Sequence, residues 1–124
     1  MKNFTLVGNQ KLPTIYLNFQ TGEMEFSGKS IPENAEFLFQ PVLEWMDEYL
    51  KSPSEITIFV IKLEYFNTSS SKYLVEVFRK FENLFKSGGK VSIQWYYEQE
   101  DEDMQESGED FRDILKVPVE LIVY

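Results

Sequence analysis

Glu55-Ile56-Thr57-Ile58-Phe59-Val60-Ile61-Lys62-Leu63-Glu64-Tyr65 runs without a break into Phe66-Asn67-Thr68-Ser69-Ser70-Ser71-Lys72. The first part reads as a strand over residues 55–65. Ile56, Ile58 and Val60 fall on one face and Phe59, Ile61 and Leu63 on the other, with β-branched residues prominent. Apolar side chains on both faces predict a central strand in a sheet covered on both sides. Lys62 and Glu64 make one face more polar toward the strand's end. The second part opens a helix over residues 68–86, with Leu74, Val77, Phe78, Phe81, Leu84 and Phe85 as its inner stripe. Ser87-Gly88-Gly89 stops it.

Upstream, Ile15, Leu17 and Phe19 alternate with Tyr16, Asn18 and Gln20. Thr21-Gly22 makes a turn, and Met24 and Phe26 alternate again, which is a hairpin over residues 14–28. Residues 31–51 read as a helix. Ser30-Ile31-Pro32-Glu33 offers a capping box at its start, Ala35, Leu38, Val42, Trp45, Met46 and Tyr49 recur at helical spacing, and Ser52-Pro53 ends it. Downstream, Val91, Ile93, Trp95 and Tyr97 alternate over residues 90–97. A short helix ends near Leu115, and Val119, Leu121 and Val123 mark a last strand. The order β-β-α-β-α-β-α-β predicts a single α/β domain over residues 1–124. Its mixed sheet is parallel in the second half, because strand–helix–strand crossovers pair parallel strands.

The composition narrows the chemistry. Across 124 residues there is no cysteine and no histidine, which removes thiol catalysis, His-based triads and the commonest zinc ligands. Apolar residues at 43% and aromatics at 16% suffice for a core without staples. No early apolar run has signal-peptide length and no stretch has the length of a membrane span, so a cytoplasmic protein is expected. The net charge is −9, and residues 98–110 hold eight acids and no base. The rest is almost neutral and carries no basic stripe, so neither nucleic acid nor an anionic membrane surface is an expected partner.

Four consecutive hydroxyl residues, Thr68 to Ser71, open the helix that follows the central strand. One cap, from Asn67 or Thr68, is all a helix needs. Ser and Thr propagate a helix less well than Ala by roughly 0.5 kcal/mol each, so the run has a local cost without a packing return. A hydroxyl in a first helical turn lies beside free backbone N–H groups and the positive end of the helix dipole, a setting that tolerates a phosphate. Lys72 either pairs with such a group or stays solvated, and the sequence does not decide between the two.

Leu63-Glu64-Tyr65-Phe66-Asn67-Thr68-Ser69-Ser70-Ser71-Lys72 resembles the signature of the SiaC family of bacterial regulatory phosphoproteins. So do Pro32-Glu33-Asn34-Ala35, Trp45-Met46-Asp47-Glu48-Tyr49-Leu50, Trp95-Tyr96-Tyr97-Glu98 and Asp101-Glu102-Asp103-Met104 followed by Gly108. The resemblance implies a fold similar to STAS domains, the anti-sigma factor antagonists. Their Asp-Ser-Ser-Gly stretch lines up with Asn67-Thr68-Ser69-Ser70, which differs at its first and fourth positions, as the SiaC type itself does. It implies phosphorylation at Thr68, with Ser69, Ser70 and Ser71 as lesser candidates. A partner kinase would add the phosphate and a PP2C-like phosphatase would remove it. The unphosphorylated form would bind and activate a diguanylate cyclase, controlling cyclic di-GMP and biofilm behaviour. The expected partner-binding residues are Tyr65, Asn67, Thr68, Ser69, Ser70, Lys72, Tyr96, Asp101 and Glu102.

Two other readings compete. Clustered carboxylates suit Mg²⁺, so a phosphoryl-transfer enzyme with Glu64 or Asp101 as metal ligands is one. No motif of catalytic spacing supports it, and the EF-hand pattern is absent. An interaction module that is never modified is the other. Gly88-Gly89 follows a helix rather than a strand and lacks the phosphate-loop pattern. No cofactor and no catalytic residue is expected.

Overall fold

The computed structural model describes residues 1–124. One six-stranded sheet in the order β1-β2-β3-β4-β5-β6 carries three helices. The strands are β1 (Phe4–Leu6), β2 (Thr14–Leu17), β3 (Glu23–Ser30), β4 (Ile56–Phe66), β5 (Lys90–Tyr97) and β6 (Val119–Val123). The helices are α1 (Ala35–Lys51), α2 (Thr68–Lys86) and α3 (Glu102–Ile114). β1, β2 and β3 pair antiparallel, and β3 to β6 pair parallel, as the element order predicts. In the hairpin turn, Asn18 Oδ1 accepts the N–H groups of Gln20 and Thr21, and Gly22 takes φ +77°.

The strand order never reverses from β3 to β6. Successive right-handed crossovers therefore put all three helices on the same face. Phe59, Ile61, Leu63, Ile93 and Trp95 are buried on that face, beneath Phe39, Val42 and Met46 of α1 and Leu74, Phe78 and Phe81 of α2. Phe59 lies 4.8 Å from Phe81 and 5.0 Å from Phe26, ring centre to ring centre, so large aromatics fill the space between sheet and helices. The expected cover on both sides of β4 is overturned. Ile56 is 49% exposed, and Ile58 and Val60 are only half-buried. A doubly wound sheet needs the strand order to turn back on itself, and here it does not.

Two further expectations are corrected. α1 begins at Ala35 rather than at residue 31, and its cap is Asn34, whose Oδ1 accepts the N–H of Phe37 at 3.1 Å. Ser30 and Glu33 form no capping box, because β3 runs on through Ser30. β1 is a strand that periodicity could not mark. Three residues are too few to show it, and Trp45 Nε1 donates to the carbonyl of Lys2 beside it at 2.7 Å.

Candidate functional site

Because β3, β4 and β5 are parallel and each leads into a helix, α1, α2 and α3 all begin at one rim of the sheet. Their caps are Asn34, Asn67 and Asp101, and each accepts a backbone N–H three residues on. Asn67 extends this at the α2 start. Its Oδ1 accepts Ser70 N–H at 2.9 Å and also the Ser69 hydroxyl at 3.0 Å. Thr68 is the first residue of α2 and is exposed, and its hydroxyl takes no part in this network. No acidic residue lies in the first turn of α2. That leaves the positive helix end without a compensating carboxylate of its own.

The four hydroxyls therefore differ. Ser70 is fully buried, and its Oγ lies 2.8 Å from Ser30 Oγ and donates to the Ser30 carbonyl at 3.1 Å. The N–H of Asn67 donates to the same carbonyl at 3.0 Å. Ser70 thus drops out of the expected acceptor and partner-binding residues. It staples the start of α2 to the end of β3. Ser71 is half-buried, while Ser69 is exposed but tied to the cap. Lys72 is exposed, with Nζ 5.7 Å from the centre of the neighbouring Tyr73 ring. The sequence marked Ser30 only as a helix cap, and its pairing with Ser70 had no local signal, since the two lie forty residues apart.

Tyr65 is 55% exposed at the same rim, whereas Phe66 turns inward, 6.0 Å from Trp95 and 6.4 Å from Phe111. The pairing of β3 with β4 shifts register between Gly28 and Lys29, so that Leu63 and Phe66 both face the core. Trp95 in turn donates from Nε1 to the Met104 carbonyl at 2.9 Å and abuts Gly108, where a Cβ would come within 2.5 Å of its ring. Phe66, Trp95 and Phe111 thus connect the start of α2 to α3 through packed rings.

The acidic stretch lies on the same rim. Glu98, Glu100, Asp101, Glu102 and Asp103 line an open depression of about 460 Å³. Asp101 spends its carboxylate on the α3 cap, accepting Met104 N–H at 3.1 Å. No three carboxylates converge as metal ligands would. Burial, then the charges of Glu98, Glu64 and Asp101, push the Tyr124 hydroxyl above its ordinary pKa. Tyr96 stands on the uncovered face, with Lys62 Nζ 4.5 Å from its ring centre.

Fold and rim define a small α/β regulatory domain, with an exposed hydroxyl at the first turn of the helix after the central strand and carboxylates on the same rim. The chain belongs to the SiaC family of regulatory phosphoproteins, whose profile matches residues 6–124. An uncharacterized protein of Pseudomonas aeruginosa (strain UCBPP-PA14) is 30% identical over 118 residues, 95% of this chain and 94% of its own. SiaC of Pseudomonas aeruginosa superposes with a TM-score of 0.92 at 27% identity over 100% of both chains. The chain is also similar, at TM-score 0.93 and 29% identity over 98% of this chain and 99% of the other, to a chain in the crystal structure of the diguanylate cyclase SiaD in complex with its activator SiaC, from the same organism. No helix of the present chain is long and apolar enough to cross a membrane.

Proposed function

We propose that this chain is a phosphorylation-controlled adaptor, not an enzyme, whose switch is the Thr68 hydroxyl. The carrying observation is that Thr68 alone among the four hydroxyl residues is both exposed and uncommitted, on the first residue of a helix. A partner kinase adds phosphate there and a PP2C-like phosphatase removes it. The unphosphorylated form binds and activates a diguanylate cyclase through the rim formed by Tyr65, Asn67, Thr68, Ser69, Lys72, Asp101 and Glu102, with Tyr96 beside it. The relative SiaC, an activator found in complex with such a cyclase, supports this reading. The physical basis is that a phosphate brings nearly two negative charges to a rim already dominated by carboxylates. Phosphate oxygens can use the free N–H groups of the helix start, while a partner seated on that turn meets new bulk and charge.

The test is mass spectrometry of the chain purified from its own host, followed by binding of the two forms to a cognate diguanylate cyclase. A phosphate on Thr68 that phosphatase removes, with cyclase binding by the unphosphorylated chain and by Thr68→Ala but not by Thr68→Asp or the phosphorylated chain, is expected. Phosphate on a different residue, or equal binding by both forms, refutes the switch at Thr68.

A further inference from the structure

The side of the sheet that no helix covers is not an ordinary polar face. Along β4 it presents Ile56, Ile58 and Val60, with Tyr16 exposed two strands away and Tyr96 beyond Lys62. A parallel strand that is apolar on both faces belongs to a sheet with a layer on each side, and here one layer is missing. Flanking strands carry charge instead. In register, Glu23 lies beside Ile58 and Glu25 beside Val60 on one side, while on the other Lys90 lies beside Ile56 at the strand's start and Gln94, then Glu120, beside Val60. Between these flanks lies a shallow groove of about 370 Å³ over Ile58 and Val60.

The dimensions suit one kind of occupant. Same-face residues on a strand recur about every 6.7 Å, so Ile56 to Val60 spans about 13 Å. That is about two and a half turns of α-helix at ~5.4 Å per turn. Strands lie ~4.8 Å apart, so Glu25 and Glu120 sit on either side of a helix ~10 Å wide laid along β4. A second copy of this chain fits poorly. It carries the same net charge of −9 and would set Glu23, Glu25 and Glu120 against their own like.

We infer that the uncovered face is a second docking surface, separate from the Thr68 rim, that receives an amphipathic helix of a partner protein with an apolar stripe and basic flanks. The stripe covers Ile56, Ile58 and Val60, and Lys or Arg on its flanks meets Glu23 and Glu25 on one side and Glu120 on the other. Such a helix supplies the missing layer of the sheet. The inference does not depend on the state of Thr68.

The probe is a peptide of about 18 residues patterned Leu/Lys to form one apolar helical face, with a Leu/Glu twin of identical pattern. Each is titrated into the ¹⁵N-labelled full chain and followed by amide chemical shifts. The Lys peptide is expected to shift residues 23–27, 56–62 and 92–96, and its Glu twin to leave them unmoved. Val60→Asp and, separately, Glu25→Lys should each weaken the Lys peptide about tenfold or more. Glu25→Lys tests the charge term on an intact core if Val60→Asp fails to fold. Shifts that map to other elements, equal binding of the two peptides, or no binding overturn the inference. So does sedimentation showing a dimer of the chain that Val60→Asp converts to monomer, since that makes a second copy the occupant.

Discussion

Asn67 and its three followers divide one polar run into separate tasks. Asn67 caps, Ser69 donates to the cap, Ser70 bridges to Ser30, and Thr68 is left exposed. Replacing Ser70 by Ala removes a buried donor and strands the Ser30 hydroxyl, with an expected loss of about 1–2 kcal/mol. Asn67→Ala removes the cap at a loss of ~1 kcal/mol. Thr68→Ala touches no hydrogen bond and should stay within ~0.5 kcal/mol of the native chain. Denaturant unfolding of the three variants checks this ordering, and a Thr68→Ala loss as large as that of Ser70→Ala would contradict the assignment. The sequence made the run conspicuous, because four helix-indifferent residues in a row have no local reason. It did not separate the members. Burial of Ser70 depends on where the end of β3 lies, and Ser30 is forty positions away.

Among the elements, α3 packs on β5, on β6 and on Phe78 of α2, and Trp95 of β5 lies against its middle. Trp95 from β5 packs on Gly108, donates to the Met104 carbonyl and touches Phe111 at 5.4 Å. A Cβ at residue 108 would reach 2.5 Å from the indole Cδ1, and Trp95 is too fully enclosed to retreat. Gly108→Ala should therefore destabilise by about 1–3 kcal/mol, the cost of overpacking a tight site. Because Trp95 also packs on Phe66, just before the start of α2, the same variant should alter the Trp95 fluorescence and the amide shifts of residues 66–70. A melting temperature and spectrum identical to the parent would show that the ring contacts carry no such coupling. Element existence was legible from periodicity: both long helices and β4 show their apolar spacing in the chain itself. The start of α1 was not, since Ser30 and Asn34 are both acceptable caps and only the length of β3 chooses between them.

At the scale of the whole molecule, Glu82 ties the far end of α2 to the segment leading into β6. Its carboxylate is buried, accepts the N–H of Lys116 at 2.7 Å, and meets Arg79 at 2.9 Å and Lys86 at 3.8 Å. The Lys116 N–H foremost, with Arg79 and Lys86 adding to it against the opposing effect of burial, holds this carboxyl below its ordinary value of 4.5. A depressed carboxyl stabilises the fold above its unfolded value, and that contribution fades as pH falls through the folded value. Glu82→Gln is therefore expected to lose about 1–3 kcal/mol at pH 7, and the gap from the parent should narrow as the pH drops below 4.5. Chemical denaturation of both chains across that range checks it, and a gap independent of pH would refute the ionised role. Glu82 sits one position from Phe81 on the inner side of α2, and nothing in its neighbours along the chain marks it as buried. By itself, the sequence determined every element but β1, their order, the parallel half of the sheet and the hydroxyl-bearing helix start, because these follow from spacing within a few residues and from the hand of crossovers. Only the tertiary structure decided which hydroxyl is exposed, which carboxylates are tied up within the fold and which side of β4 stays bare. Those depend on contacts between segments distant in the chain, and on a strand order that never turns back and so stacks every helix on one face.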